Sequence, residues 1–294
     1  MVQFVNIRGG QFQLGSDDAY PEEAPRHERS VGGFKIATAP VTNLDFGRFV
    51  VATGYRTVAE RRLDDDIGRG LARELRVPGS IVFVPPARGA IVDEGSWWRF
   101  VPGACWHAPL GPQSTIADKA DHPVVHISKI DALAYCEWAD VRLPTEIEWE
   151  FACRGGRDSG TAFSWGDELS PGGRVMANHW LGDFPSSPRA DNIGGTSRVG
   201  LFPPNELGIV DMIGNVWEWT TTEFHDGHIV SSCCGGDSGE DPFQQGGRVF
   251  ALKGGSHLCA VNYCSRYRPT ARIPQPEYFS ASHIGFRVAA DAEG

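Results

Sequence analysis

Glycine and proline punctuate this chain so densely that no long helix or strand can run through it. The 36 glycines and 20 prolines among 294 residues come to roughly 19%, against about 12% in ordinary chains. Glycine frees the backbone and proline removes an N–H donor, so each breaks a regular element or ends it in a turn. Nine tryptophans and no long apolar run then point to loops held together by aromatic packing. The expected fold is α+β, loop-rich and low in regular secondary structure. The chain is long enough for one large domain or two small ones. With no repeat, linker or break in composition, it reads as one continuous domain over residues 1–294.

Some function classes are excluded early. No apolar stretch approaches the roughly 18 residues that a membrane span needs, and the opening MVQFVNIRGG has neither the basic nor the apolar region of a secretory leader. A formal charge of -10 argues against a phosphate-backbone partner, which calls for a basic face. The expectation is therefore an intracellular protein with no nucleic acid and no membrane among its partners. Seven cysteines stand at 105, 136, 153, 233, 234, 259 and 264. An odd number without a leader does not read as a disulfide framework, so free thiols are expected.

Apolar and polar residues alternate over 2–15 around Gly9-Gly10, which predicts an opening hairpin. Asp17 to Arg29 reads as an acidic surface wrap, and Phe34 to Ala37 as a strand. Thr42 or Asn43 caps a helix with Phe46, Phe49 and Val50 inward and Gly54 at its end. From Asp64 to Gly111 the pattern predicts a surface excursion with a short helix at Leu71–Leu75 and a strand at Ile81–Val84, pinned by Trp97, Trp98, Phe100 and Trp106. Ser128 caps a helix reaching Asp140. His122 and His126 have a metal-ligand spacing, but Pro123 intervenes and no third ligand accompanies them, so structural histidines are the simpler reading. Thr145 and Glu148 have the capping-box spacing, with Glu146 in the first turn and Ile147 and Phe151 inward.

Between Trp165 and Thr220 the sequence is nearly all loop and rich in oxygen ligands. It suits a hard cation such as calcium, though without the EF-hand pattern. Near the end, Cys259 and Cys264 lie in a run of Ser, Tyr, Arg and Gly. Spacing alone leaves open a soft-metal and redox pair, a disulfide, or two small buried hydrophobes. Five residues apart, they lie about 140° apart on a helix and on opposite faces of a strand. Convergence on one ion requires the chain to bend between Ala260 and Tyr263.

These pieces resemble the formylglycine-generating enzymes, the sulfatase-modifying factor family of C-type-lectin-like fold. The resemblance rests on Pro40-Val41-Thr42-Asn43, the RLPTEIEWEFACRGG run beginning at Arg142, GNVWEW from Gly214 to Trp219, GGSHLCAVNYCSRYRPTAR from Gly254 to Arg272, and HIGFRVAAD from His283 to Asp291. It spans essentially the whole chain. The first motifs mark the fold, while the two-cysteine stretch marks the oxidase branch.

The resemblance implies an oxidoreductase that acts on sulfur with oxygen as acceptor. Its substrate is the cysteine of a Cys-x-Pro-x-Arg segment in an unfolded sulfatase, converted to formylglycine with a thiol reductant. Cys259 and Cys264 are implied as copper(I) ligands, with Ser256, Trp217 and Tyr263 lining the site and His283 near the peptide, where relatives carry Asn. Two structural calcium sites are also implied. One uses Asn178 and Asp191 side chains with the His179 and Ile193 carbonyls. The other uses Asp211 and Glu218 side chains with the Gly214 and Val216 carbonyls. The family's disulfides lack partners here, since Cys153 faces Val288 in the alignment and Pro269 replaces a bridged cysteine. That implies a reducing, prokaryotic cytoplasm, and nothing in the surface pattern calls for more than a monomer. Two alternatives remain: a same-fold oxidase for another peptide or small-molecule thiol, and a non-catalytic binding member.

Overall fold

Two antiparallel ladders in a common register hold the N-terminal segment. In the computed structural model, which describes residues 2–62, 76–88, 90, 93–228 and 248–292, β1 (Phe4–Ile7) pairs with β4 (Phe34–Ala37), and β2 (Gly10–Leu14) with β3 (His27–Val31). The two ladders share one register, Phe4 opposite Ala37 to Ile7 opposite Phe34 and then Gly10 opposite Val31 to Leu14 opposite His27, on either side of a break at Arg8-Gly9 and Gly32-Gly33. The hairpin expected at Gly9-Gly10 is therefore not there, because the chain continues straight through. A Cβ on Gly9 would come within 2.4 Å of the Val31 carbonyl oxygen, so glycine serves close strand approach rather than a turn.

The true connection is the 17–26 segment, which lies mostly at the surface as expected but is pinned inward at one residue. Glu23 is wholly buried and accepts hydrogen bonds from Thr270 and Arg268. Solvation cannot satisfy a carboxylate at that depth, so the segment is tied to the C-terminal region.

The remaining elements follow the local signals closely. Helix α1 (Asn43–Thr53) has Thr42 as N-cap and Gly54 at φ 67 as its left-handed stop. The strand expected near Ile81–Val84 is β5 (Gly79–Phe83), paired with β6 (Trp98–Pro102). Helix α2 (Lys129–Ala139) starts with a capping box from Ser128 and Asp131, and α3 (Glu146–Cys153) with one from Thr145 and Glu148. The Leu71–Leu75 helix and the Cys233-Cys234 pair lie outside the described residues. His122 meets Thr196 and His126 meets Ser80 and Pro109, so both act as structural histidines.

A short hairpin joins β7 (Gly182–Asp183) to β8 (Ser187–Pro188). Beyond it, β9 (Trp217–Glu223), β10 (Val249–Lys253), β11 (Arg272–Pro276) and β12 (Ile284–Gly285) form a sheet in the order β11-β10-β9-β12, with β12 parallel to β9. The last strand, β13 (Ala289–Asp291), returns to β4 and closes the chain's end onto its beginning. The architecture is α+β, with few helices and much loop. The core between the sheets and helices is aromatic, with Phe46, Tyr135, Trp149, Trp219 and Phe286 at its centre. Among the described residues, no helix is long and apolar enough to cross a membrane.

Candidate active site

The site is built on the loop that follows β10. Gly254 and Gly255 take φ 96 and 77, and each lets another segment pass at contact distance. A Cβ on Gly254 would meet the Met212 carbonyl oxygen at 2.5 Å, and one on Gly255 the Arg266 carbonyl oxygen at 2.4 Å. The second approach draws Arg266 back beside Gly255 and closes 255–266 into a loop. Within it Ser256 is buried. Its carbonyl accepts the Cys259 N–H at 3.0 Å and its hydroxyl oxygen accepts the Leu258 N–H at 3.2 Å. The Ala260 carbonyl then accepts the N–H groups of both Tyr263 and Cys264.

This turn supplies the bend that the spacing requires, and it brings the Cys259 and Cys264 sulfurs to 3.4 Å. Both are free thiols. Cys259 is buried and Cys264 half-buried. The turn's apex reaches solvent through Val261 and Tyr263.

A wall of rings holds the turn from one side. Trp97, Trp180 and Phe184 pack on Leu258 and Ala260. Tyr263 stacks on Phe184 at 4.7 Å and meets Trp97 edge-on at 5.4 Å. Asn262 exchanges hydrogen bonds with the Phe184 backbone, and Trp180 N–H donates to the Cys259 carbonyl. The tryptophan-rich excursion is thus part of the site rather than a surface ornament. Trp106 does anchor elsewhere, against Phe46 in the main core.

The two thiols are electrostatically unequal. Cys264 is held below the usual thiol range by the hydrogen bond from Cys259 and by Arg266, whose Nη1 lies 4.0 Å from its sulfur. Cys259 retains the shared proton, and burial pushes it further up. Arg266 is fixed by an ion pair with Glu22, and its guanidinium carbon sits 3.7 Å from the centroid of the Tyr20 ring. The Tyr20 hydroxyl oxygen accepts the Ser265 N–H. The pair therefore presents one soft anionic donor and one proton-bearing donor within reach of a single ion. Soft thiolates select copper(I) over hard cations, so the donor set fits that ion chemically.

The other expected residues fall at different depths. Trp217 is buried in the core, its N–H donating to the His283 carbonyl. His283 lies under Trp98, with rings stacked at 4.6 Å, and burial lowers its pKa to about 3. Asn178 donates to the Gly195 carbonyl. His179 stacks on Tyr267, while Asp191 pairs with Arg189 at 2.7 Å and Ile193 is exposed.

In the second oxygen set, Asp211 is buried, which raises its pKa to about 6, and it accepts the Gly200 N–H. Glu218 meets the Arg287 guanidinium through both oxygens at 2.6 and 2.8 Å, and the Trp149 indole at 2.6 Å. The Gly214 N–H donates to the Gly254 carbonyl, and Val216 is buried beside Trp217. Of the three carboxylates in the two predicted calcium sets, Asp191 is paired with Arg189 and Glu218 with Arg287, while Asp211 has no ion-pair partner among the described residues and is the one with most to gain from a cation.

Sequence reasoning missed Tyr20, Glu22 and Arg266. Arg266 had a visible signal in its position two residues after Cys264. Tyr20 and Glu22 had none, because more than two hundred residues separate them from their partners.

Comparison with known proteins places this geometry in context. The family described as sulfatase-modifying factor enzyme 1-like domain matches residues 1–292. The chain is 48% identical to a formylglycine-generating enzyme of Mycobacterium tuberculosis, over 99% of this chain and 98% of that one. It is also 36% identical to the inactive C-alpha-formylglycine-generating enzyme 2 of Bos taurus, over 99% of this chain and 89% of that one. In fold it is similar to PvdO from Pseudomonas aeruginosa, with a TM-score of 0.63 and 23% identity over 98% of this chain and 94% of that one.

Proposed function

The chain belongs to the sulfatase-modifying factor enzyme 1-like family, and from that premise we propose that it is a formylglycine-generating oxidase. It takes the cysteine of a Cys-x-Pro-x-Arg segment in an unfolded sulfatase to formylglycine, with oxygen as acceptor and a thiol reductant. The observation that carries this reading is the pair of free sulfurs 3.4 Å apart beneath a solvent-reaching turn. Full-length similarity to a formylglycine-generating enzyme supports it. Similarity to an inactive namesake means that fold alone does not decide activity, so the cysteine site must.

In this reading Cys259 and Cys264 hold copper(I). The chemistry that bound copper(I) supplies is electron transfer to oxygen, which thiols alone perform poorly. Cys264 enters as the readier thiolate, and Cys259 gives up its proton on binding. Arg266, held by Glu22, offsets the negative charge of the pair. Ser256 fixes the turn through its backbone bonds. Trp217 keeps water from the core side, and Tyr263 at the rim orients the incoming peptide. The sequence feature that would favour a different thiol substrate is His283, which stands where relatives carry Asn. Its ring is buried beneath Trp98, which favours the sulfatase segment as the substrate in this reading.

The reading includes calcium at the two oxygen sets as a structural ion, a monomeric state, and a reducing cytoplasm that suits five free cysteines among the described residues. The test is conversion of a Cys-x-Pro-x-Arg peptide by copper-loaded protein, followed by mass spectrometry. The wild type converts thiol to aldehyde only with copper. Cys259→Ser and Cys264→Ser each lose both conversion and copper(I) binding, and full activity in either variant would refute the assignment.

A further inference from the structure

A third buried thiol sits among metal-ligand atoms well apart in sequence from the oxidase pair. A single 3-10 turn, Val58–Glu60, begins at Thr57 with a capping box. The box fixes the Glu60 carboxylate: its Oε2 accepts the Thr57 N–H at 2.9 Å and the Thr57 hydroxyl at 2.7 Å. Its Oε1 is then left 3.4 Å from His107 Nε2. Cys105 is buried at the base of the turn Cys105-Trp106-His107-Ala108, which reciprocal backbone bonds between Cys105 and Ala108 close at 3.2 and 3.1 Å. Burial favours its neutral thiol, so a metal ion would have to displace the proton on binding. Among the described residues, this is the one group of three His, Cys, Asp or Glu side chains whose ligand atoms all lie within 4.8 Å of one another.

We propose that Glu60, Cys105 and His107 form a second metal site, taking a divalent transition-metal ion of which zinc is the best fit. One oxygen, one sulfur and one imidazole nitrogen make a mixed donor set that zinc accepts tetrahedrally. With bonds of about 2.0–2.3 Å, the edges of such a tetrahedron are roughly 3.3–3.7 Å. The Glu60–His107 separation already has that length. The His107 side chain is 53% exposed, so its ring is free to close the remaining distance.

An ordinary His–Glu ion pair would account for two of the three groups, and burial for the third. Neither requires all three ligand atoms, from two separate turns, to lie within 4.8 Å of one another. The capping box orients the carboxylate from behind, as an outer hydrogen-bonding layer does in built metal sites. Three protein ligands leave a fourth position for water. The ion ties the 57–60 turn to the 104–108 loop, whose Ala59, Cys105 and Ala108 already pack together. That loop directly follows the strand bearing Trp98, so the ion stiffens the support of the aromatic wall from the opposite end.

The test uses full-length protein carrying Cys259→Ser and Cys264→Ser, so that the oxidase pair contributes no signal. Cobalt(II) titration should give a thiolate-to-cobalt charge-transfer band, and zinc should bind at one equivalent and raise Tm. His107→Ala, at an exposed ring, should lose the band and weaken zinc binding by more than tenfold with the fold intact by circular dichroism. Glu60→Gln should weaken it by a similar factor. Absence of the band in the parent, or a band and zinc affinity unchanged in His107→Ala, would overturn the proposal.

Discussion

His126 sits at φ 62, a backbone angle that costs most residues energy but suits Asn and His better than bulky side chains. Its Nε2 faces the Pro109 carbonyl at 2.8 Å. A carbonyl only accepts, so Nε2 carries the proton and Nδ1 accepts from Ser80 at 2.8 Å. Burial then lowers its pKa to about 4, against about 6.5 in an unfolded chain. Between those values the unfolded state binds the extra proton. Stability is therefore complete above pH 6.5 and falls as pH drops toward 4, by roughly 3 kcal/mol for this residue alone. Urea unfolding at stepped pH values checks this. His126→Asn keeps the backbone angle and should flatten part of the slope, leaving the part contributed by His228, His257 and His283, which burial also holds low. An unchanged slope would assign the pH dependence elsewhere.

At the scale of elements, α3 shows how far local chemistry reaches. Thr145 accepts the Glu148 N–H at 3.1 Å, and Glu148 accepts the Thr145 N–H at 2.8 Å. Both partners lie three residues apart, so the capping box was legible in the sequence. Thr145→Ala should lower stability by about 1 kcal/mol and leave copper(I) binding unchanged, as read by denaturant melts and metal titration. Glu146 was only half legible. It does stand in the first turn, but it is buried against Arg272 and Lys253, partners on β11 and β10 that no helix-length window contains. Gly9-Gly10 was misread for the same reason. A double glycine looks like a turn locally, while pairing of the strands on both sides of it with the distant 27–37 segment decides otherwise.

For the molecule as a whole, cohesion depends on buried charge as well as aromatic packing. Arg287 joins three distant segments by bonding Glu218, the Ala37 carbonyl and the Val210 carbonyl. Arg287 and Glu218 are both buried, and removing one partner strands the other. Arg287→Met should cost about 3–5 kcal/mol by chemical denaturation. Glu218→Gln added to it should recover part of that loss, because no uncompensated anion then remains. The proposed calcium ions act at this scale too. Chelation should lower Tm, and added calcium should restore it, most at the set containing Asp211, where burial opposes the charged carboxylate. A Tm indifferent to both treatments would remove calcium from the account.

The sequence by itself determined what short-range chemistry controls: the caps at Ser128 and Thr145, a cap at Thr42 or Asn43, the glycine stop at Gly54, the loop-rich α+β character, and the need for a bend between Cys259 and Cys264. Each of these is settled within about five residues by hydrogen bonds or backbone angles. Tertiary structure alone decided the rest. It made Cys264 the readier thiolate by setting the Cys259 sulfur against it and by anchoring the neighbouring Arg266 with Glu22 and Tyr20 from the far end of the chain. It also turned an unreadable tryptophan excursion into the wall of the site. Charge and ring contacts act through space, and sequence separation carries no trace of them until the chain has folded.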